Sequence, residues 1–464
     1  MRIKEDKNLS KVIIWQTCSS FLLQGIGLIT APIYTRILSP EDYGQTSTFS
    51  SWVSIVGLVV GLQACGTVGI AKGKYSGEEY KKYCSSVMWL SFISFGVALL
   101  FFIVFSNELS GILGFPVYLV PLIVINSYVS FVISFCNSIM EFDFKIELKT
   151  IISIILSVTS ITLSFVFVLN MSNDKYIGKI IGSLIPMVVI AIIEFFVVMS
   201  RGKSLFSVNY WKFCLPLSIP LIFHAAGGTI LAQSDRIMLK SMVGEAETGV
   251  YSVVYTLATI VDVLWTAFNH SWVPFYYDYK KRNDVKQILQ KSNGYLFTFT
   301  IITIGFMLCA PEVFKILAPE NYWSGLNIIP LVSLAYYLNF MYSFPANHEF
   351  YNQNTKMISI STVMSAVLNI VLNYLLIPTY HGVGAAVATV ISYLFCFIFH
   401  DIAARFIIGD FEYSWKFYFR GLIPVVIYSA LFYVLMPYTI ARWIVACILG
   451  AILVYRMYKK RSIF

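Results

Sequence analysis

Residues 34–44 read YTRILSPEDYG, and they interrupt about two dozen mostly apolar residues with an arginine, a proline and two carboxylates. A second interruption of the same kind, DRIMLKSMVGEAETGVYS, begins at Asp235. Again an arginine closes an apolar run, acids follow, and a glycine leads into the next apolar run. Gly44 and Gly249 lie roughly 200 residues apart, about the size of one half of a duplicated transporter.

Between such interruptions the chain is apolar from end to end. Of its 464 residues 58% are hydrophobic and only 12% charged, with mean hydropathy +0.74. A soluble chain would carry about 25% charged residues. Apolar windows give spans near 12–35, 45–70, 84–106, 115–137, 150–170, 177–199, 213–234, 249–274, 295–317, 325–347, 357–377, 383–404, 417–437 and 440–457. Backbone polar groups find no water in lipid, so spans must be helices or strands of a closed barrel. The runs lack the strict alternation of barrel strands. The expected fold class is therefore an all-α polytopic membrane protein with about 14 transmembrane helices.

Loop charge orients these spans. The basic start (Arg2, Lys4, Lys7, Lys11) precedes an apolar run that is too long for a signal peptide and has no small-x-small cleavage site. It reads as the cytoplasmic flank of the first span. With the N-terminus inside, about 26 Lys and Arg fall in inner loops against about 7 outside. The C-terminus is then also cytoplasmic. The net charge of +9 is spread over many short loops and forms no single patch, so no nucleic-acid partner is expected. The eight cysteines form no CxxC pair and suggest neither a metal site nor a disulfide framework.

The two arginine-acid-glycine stretches are not the only internal correspondence. NELSGILG from Asn107 resembles PEVFKILA from Pro311, and MEFDFK from Met140 resembles HEFYNQNTK from His348, pairing Glu141 with Glu349. Six spans separate the copies, an even number, so both insert the same way up. This predicts two parallel six-helix lobes around a central cavity, residues 1–205 and 206–410, followed by a transmembrane hairpin and basic tail at 411–464. The arginine-acid-glycine element is expected to be the outer turn between the first two helices of each lobe.

No complete P-loop occurs: Tyr75 follows Gly73-Lys74 where Ser or Thr is needed. There is no HExxH and no recognisable Ser-His-Asp set, so no enzyme activity and no cofactor are expected. The ionisable groups well inside spans are Asp262 and His224, on adjacent helices, each costing about 3 kcal/mol at a helix centre. One reading is a proton- or cation-sensitive pair lining a cavity; the other is a mutually satisfied structural pair. Arg36 and Arg236 either offer forked donors to phosphate or pin their own turns through nearby acids, Glu41 or Asp42 and Asp235 or Glu245. Gln16, Ser20 and Gln24 recur every fourth residue of span 1, and Gln233 ends span 7. Such polar groups bind sugar hydroxyls or join helices.

APIYTRILSPEDYG resembles the first-loop signature of Wzx-type polysaccharide flippases, and the stretch from Leu215 to Leu257 resembles their seventh and eighth helices. LIPTYHGVGAAVATVIS, from Leu376, resembles a segment shared across the wider MOP (MATE-like) superfamily. The resemblance implies alternating access and a cargo of undecaprenyl-pyrophosphate-linked oligosaccharide, moved from the cytoplasmic to the outer leaflet of the bacterial inner membrane for O-antigen or capsule assembly. It implies a polysaccharide polymerase and a chain-length regulator as partners, with H+ or Na+ as coupling ion. Arg36 and Arg236 fall in the family's matching motifs. Ala31 and Pro32 stand where the lipid II branch would place an arginine-aspartate pair. The rivals are a MATE-like multidrug or cation antiporter and a non-transporting scaffold of the assembly machinery.

Overall fold

The computed structural model describes residues 25–460, with the side chains of 224, 355 and 460 excepted. All the secondary structure among these residues is helical. Helix α1 covers 25–37 and leads into α2 (Pro40–Val60), α3 (Val68–Lys74), α4 (Gly77–Val104) and α5 (Ser106–Leu113). Then come α6 (Val120–Phe142), α7 (Ile146–Asn170), α8 (Lys175–Gly202), α9 (Val208–Met242) and α10 (Glu245–Lys281). The chain ends with α11 (Val285–Leu317), α12 (Ile329–Tyr351), α13 (Thr355–Ile402), α14 (Trp415–Leu435) and α15 (Thr439–Lys460).

Among the described residues ten helices are long and apolar enough to cross a bilayer, and up to twelve if each of two bent pairs is one span. The bends are 51° between α2 and the 64–74 segment, and 53° where 320–327 meets α12. The apolar stretch Lys356–Ile408 is 53 residues long. That is about 80 Å as helix against a hydrocarbon core of about 30 Å, so it holds two spans. The break is at His381, whose φ of 53° lies outside the helical region. With α1 counted as a span, the total is about 14.

The opening stretch is helix punctuation. Arg36, near the end of α1, donates to the carbonyls of Pro32 (2.7 Å) and Ile316 (2.8 Å), as a cation at a helix C-terminus should. Ser39 is the N-cap of α2 and accepts from the Asp42 amide, Pro40 takes the first turn, and Glu41 and Asp42 place negative charge there. Asp42 also accepts from the Tyr176 amide at the start of α8 (3.1 Å). The turn is thus Leu38–Ser39, and Gly44 is already inside α2, not in the turn as expected. Gly249 likewise lies inside α10, which starts after Gly244 at φ 132°.

Helix contacts divide the chain into two compact units, 1–30 with 37–241 and 31–36 with 242–464. In the first, α6 is the central helix: Val124, Val132 and Phe135 are fully or almost fully buried with Val60, Val68, Tyr83 and Met88, and Ile123 is buried with Phe49 and Phe115. Here α7 and α8 approach so closely that a Cβ on Gly182 would lie 2.4 Å from the Ser164 Cα. Close backbone approach through small residues is the usual helix glue in lipid, where no hydrophobic effect draws helices together. The outward faces of α4 and α7 carry exposed Val97, Leu100, Ile151 and Val158, suited to acyl chains.

The second unit is built on aromatics. Phe299 and Phe340 lie 4.3 Å apart between ring centroids, and Tyr295, Phe344 and Tyr413 extend the stack across α11, α12 and the start of α14. Buried Asn369 bonds to Asn373 (3.0 Å) and Thr389 (3.4 Å), joining the two limbs of α13.

One turn occurs three times. After α6 the amides of Asp143, Phe144 and Lys145 donate to Ile139, Glu141 and Met140. After α10 the amides of Arg282, Asn283 and Asp284 donate to Asp278, Lys280 and Tyr279, with Asn283 at φ 53°. After α12 those of Asn352, Gln353 and Asn354 donate to His348, Phe350 and Glu349. Phe144 and Gln353 both have φ 58°. The match pairs Met140, rather than Glu141, with Glu349.

Candidate functional site

Arg236 lies within α9, six residues before its last residue Met242, and not at the helix end expected for it. Its Nη1 donates to the Ala232 carbonyl (2.9 Å) and to Gln233 Oε1 (3.2 Å). The same Gln233 oxygen accepts from Ser51 on α2 (2.9 Å). The structure therefore brings together two of the expected site residues, with Gln233 as the acceptor that orients the guanidinium. Arg236 is half-buried and Asp235, its neighbour, is buried.

Arg36 is not the structural equivalent of Arg236. The bond that resembles Arg36's is made by Lys240, which sits two residues before the end of α9 and donates to the Gly114 carbonyl at the C-cap of α5 (2.6 Å). Arg36 makes the same kind of bond to Ile316 at the end of α11, beside Thr35, which donates to Leu317 (2.6 Å). Lys240 also donates to Gln45 (2.5 Å) and lies over the Phe115 ring. Both cations satisfy helix carbonyls that lack intrahelical partners. No bond from Arg36 to Glu41 or Asp42 accompanies this; its fork goes to main-chain oxygens.

Asp262 is half-buried in α10, in the second unit. Tyr393 on α13 is within electrostatic reach of Asp262, Tyr255 and Tyr336, and the Tyr251 hydroxyl bonds to that of Tyr255 (3.0 Å). The expected partner, His224, belongs to α9, but its side chain lies outside those described. Gln16, Ser20 and Gln24 also lie outside the described residues.

Sequence reading missed several buried ionic groups. In α8, Glu194 is 8% exposed and its carboxylate accepts no full hydrogen bond; only the Cys136 thiol stands near. A lone glutamate in the run AIIEFF was a visible signal. In the second unit Lys280 bonds to buried Glu412 (2.5 Å) and to the Asp410 carbonyl (2.6 Å). Tyr276 reaches both Glu412 (3.4 Å) and His348 Nδ1 (3.1 Å), while Glu349 pairs with His400 (2.8 Å). Arg442, 1% exposed, makes a bidentate pair with Glu312.

Residues 9–280 match the family described as "Polysaccharide biosynthesis protein". A protein from Haloferax volcanii, described as "Probable low-salt glycan biosynthesis flippase Agl15", is 22% identical over 412 residues, 84% of this chain and 82% of that protein. Among solved structures, the lipid II flippase MurJ in an inward closed conformation superposes with TM-score 0.72 at 16% identity, covering 97% of this chain and 99% of that one. An inward-facing multidrug resistance MATE family transporter of the MOP superfamily superposes at 0.68 and 14% identity, over 85% of this chain and 98% of that one. The fold is thus that of MOP-superfamily membrane transporters. The chain belongs to the polysaccharide biosynthesis protein family.

Proposed function

We propose that this protein is a flippase that carries undecaprenyl-pyrophosphate-linked oligosaccharide from the cytoplasmic to the outer leaflet by alternating access, for O-antigen or capsule assembly. The observation that carries the reading is the family match, which spans both arginine stretches and runs on to Lys280, joined to a transporter fold over the whole chain. The physics supports it: a sugar hydroxyl stripped of water costs several kcal/mol in hydrocarbon, and a pyrophosphate far more, so an unaided crossing is prohibitive. Hydrogen-bonding side chains inside the helical bundle lower that barrier while the polyprenyl tail stays in lipid.

In this reading Arg236, oriented by Gln233, donates to the pyrophosphate, and Arg36, Gln16, Ser20, Gln24 and His224 are further contacts to cargo. Asp262 is the ion-coupling residue, with H+ or Na+ as the ion. The repeats form lobes 1–205 and 206–410 with a hairpin at 411–464, both termini are cytoplasmic, and the membrane is the bacterial inner one. The protein does no covalent chemistry; its polymerase and chain-length regulator partners act downstream.

The test is transport of labelled lipid-linked oligosaccharide in reconstituted vesicles. Wild type should move it, Arg236→Ala should slow delivery at normal abundance, and Arg236→Lys should rescue in part, because the point charge survives and the fork does not. Efflux of cationic drugs with no movement of lipid-linked sugar would replace this reading with the multidrug antiporter.

A further inference from the structure

A cavity of about 370 Å³ opens in the first unit where α3, α6 and α8 end and α4 and α7 begin. That volume lies within the range of small-molecule sites, about 300–1,000 Å³. Its charged lining is Lys72, Lys81, Lys145 and Arg201 with one carboxylate, Asp143. Asp143 is engaged by Lys72 (2.5 Å) and lies 3.8 Å from Lys145, and Lys81 is held by Glu78 (2.5 Å). Four cations therefore face two carboxylates, and Arg201 is exposed with no partner among the described residues. The α4 N-terminus at Gly77 is not the attraction, since Glu78 and Glu79 already occupy its first turn.

A second observation points inward. Tyr80 lines the cavity, is 4% exposed, and its hydroxyl makes no full hydrogen bond, having only the weak Cys84 thiol beside it. Lys72 lies over the same ring at 4.3 Å. A buried hydroxyl donor among a surplus of cations is a set that suits phosphate oxygens. The neighbouring surface is hydrocarbon-like: Phe142 and Phe144 flank Asp143 on the chain, and Ile193 and Val197 on α8 are exposed.

We propose that this cavity binds the phosphate headgroup of a lipid, whose acyl or prenyl chain lies along the exposed apolar residues of α8 and the α6–α7 turn. On the topology proposed above this end faces the cytoplasm. Two sources supply that chemistry there, a polyprenyl pyrophosphate and an anionic phospholipid.

The experiment is titration of purified full-length protein in detergent with farnesyl pyrophosphate, dioctanoyl phosphatidylglycerol, dioctanoyl phosphatidylcholine and inorganic pyrophosphate. At least one of the first two should bind, more tightly than phosphatidylcholine or inorganic pyrophosphate. Lys145→Ala with Arg201→Ala should weaken it about tenfold or more, the effect of losing one charge-assisted bond. Tyr80→Phe should weaken it about threefold, with ring packing kept. Preference for farnesyl pyrophosphate identifies a loading site for the cargo lipid, and parity identifies a general anionic-lipid site. Should the double variant lose its monodisperse elution, Arg201→Gln, altered at an exposed residue, carries the test. Unchanged Kd in the folded variants, or inorganic pyrophosphate binding as tightly as both anionic lipids, overturns the proposal. Binding is read without transport, so this result and the flippase result fail separately.

Discussion

Arg442 fastens the C-terminal helix to the rest of the second unit, and the strength of that fastening follows from its surroundings. Its side chain is 1% exposed near the start of α15. One nitrogen donates to the Leu308 carbonyl (2.5 Å) and to Glu312 Oε2 (2.8 Å), and the other to Glu312 Oε1. Arg442→Met keeps much of the stem packing but leaves Glu312 without its counter-charge. Breaking a fully buried pair costs about 3–5 kcal/mol. Glu312 keeps a quarter of its surface, so water recovers part of this and about 2–3 kcal/mol is expected. Glu312→Gln should cost about 1–3 kcal/mol, because Arg442 retains Leu308. The double variant should cost less than the sum by about 1.5 kcal/mol or more. Reversible unfolding in mixed micelles, followed by tryptophan fluorescence, gives all four corners of the cycle. If the two changes add within about 0.5 kcal/mol, the pair is not coupled and the fastening comes from packing alone.

Gly182→Leu should force α7 from α8 and lower the melting temperature, at about 1–3 kcal/mol for overpacking; an unchanged melting curve would mean the helices already stand further apart. Lys280→Met strands the buried Glu412 carboxylate and should cost about 3–5 kcal/mol, most of it recovered by adding Glu412→Gln; lack of recovery would point to the Asp410 carbonyl as the main partner. Lys240→Met should destabilise by about 1–3 kcal/mol through the orphaned Gly114 carbonyl, and a similar loss is expected for Arg36→Met at the Ile316 carbonyl. If only one of the two is sensitive by thermal unfolding, the parallel between them is coincidental.

The spans were legible because lipid leaves the backbone no alternative to helix, so apolar run length alone reports them. Even the two limbs of α13 were separable in the sequence, although the helix is continuous across His381 apart from one residue. Helix ends were less legible. Pro40, Glu41 and Asp42 read as a loop because charge in an apolar chain suggests water, whereas they form the first turn of α2. Arg36 and Arg236 were matched by residue type. The Gly44-to-Gly249 offset carries Arg36 to Ser241, beside Lys240, which makes the corresponding bond. Its partner Gly114, like Ile316 for Arg36, is distant in sequence, and no periodicity reports such a contact. The charges of Lys72, Lys145 and Arg201 were visible but served only to orient the spans. Their convergence on one cavity is a property of where three helices end and two begin.

The turns after α6 and α12 share a backbone, as does the one after α10, and differ in what their side chains do. After α6 and after α12 the backbone makes the same three hydrogen bonds and places a non-glycine residue at the same positive φ. Geometry that costs strain is kept because a helix pair must still reverse there. The side chains have gone opposite ways. In the second unit His348 and Glu349 are fully buried, because the segment leading into α14 folds over them and contributes Glu412 and Tyr413, both buried. Charge there is spent on internal pairs. In the first unit Lys72 and Lys145 keep two-fifths or more of their surface around Asp143. With part of their charge still unmatched, the open turn can take an anionic ligand and the covered one cannot. The cover comes from residues 409–413, ahead of α14. On the lipid-site proposal, then, an anion is held at the open turn and not at the covered one.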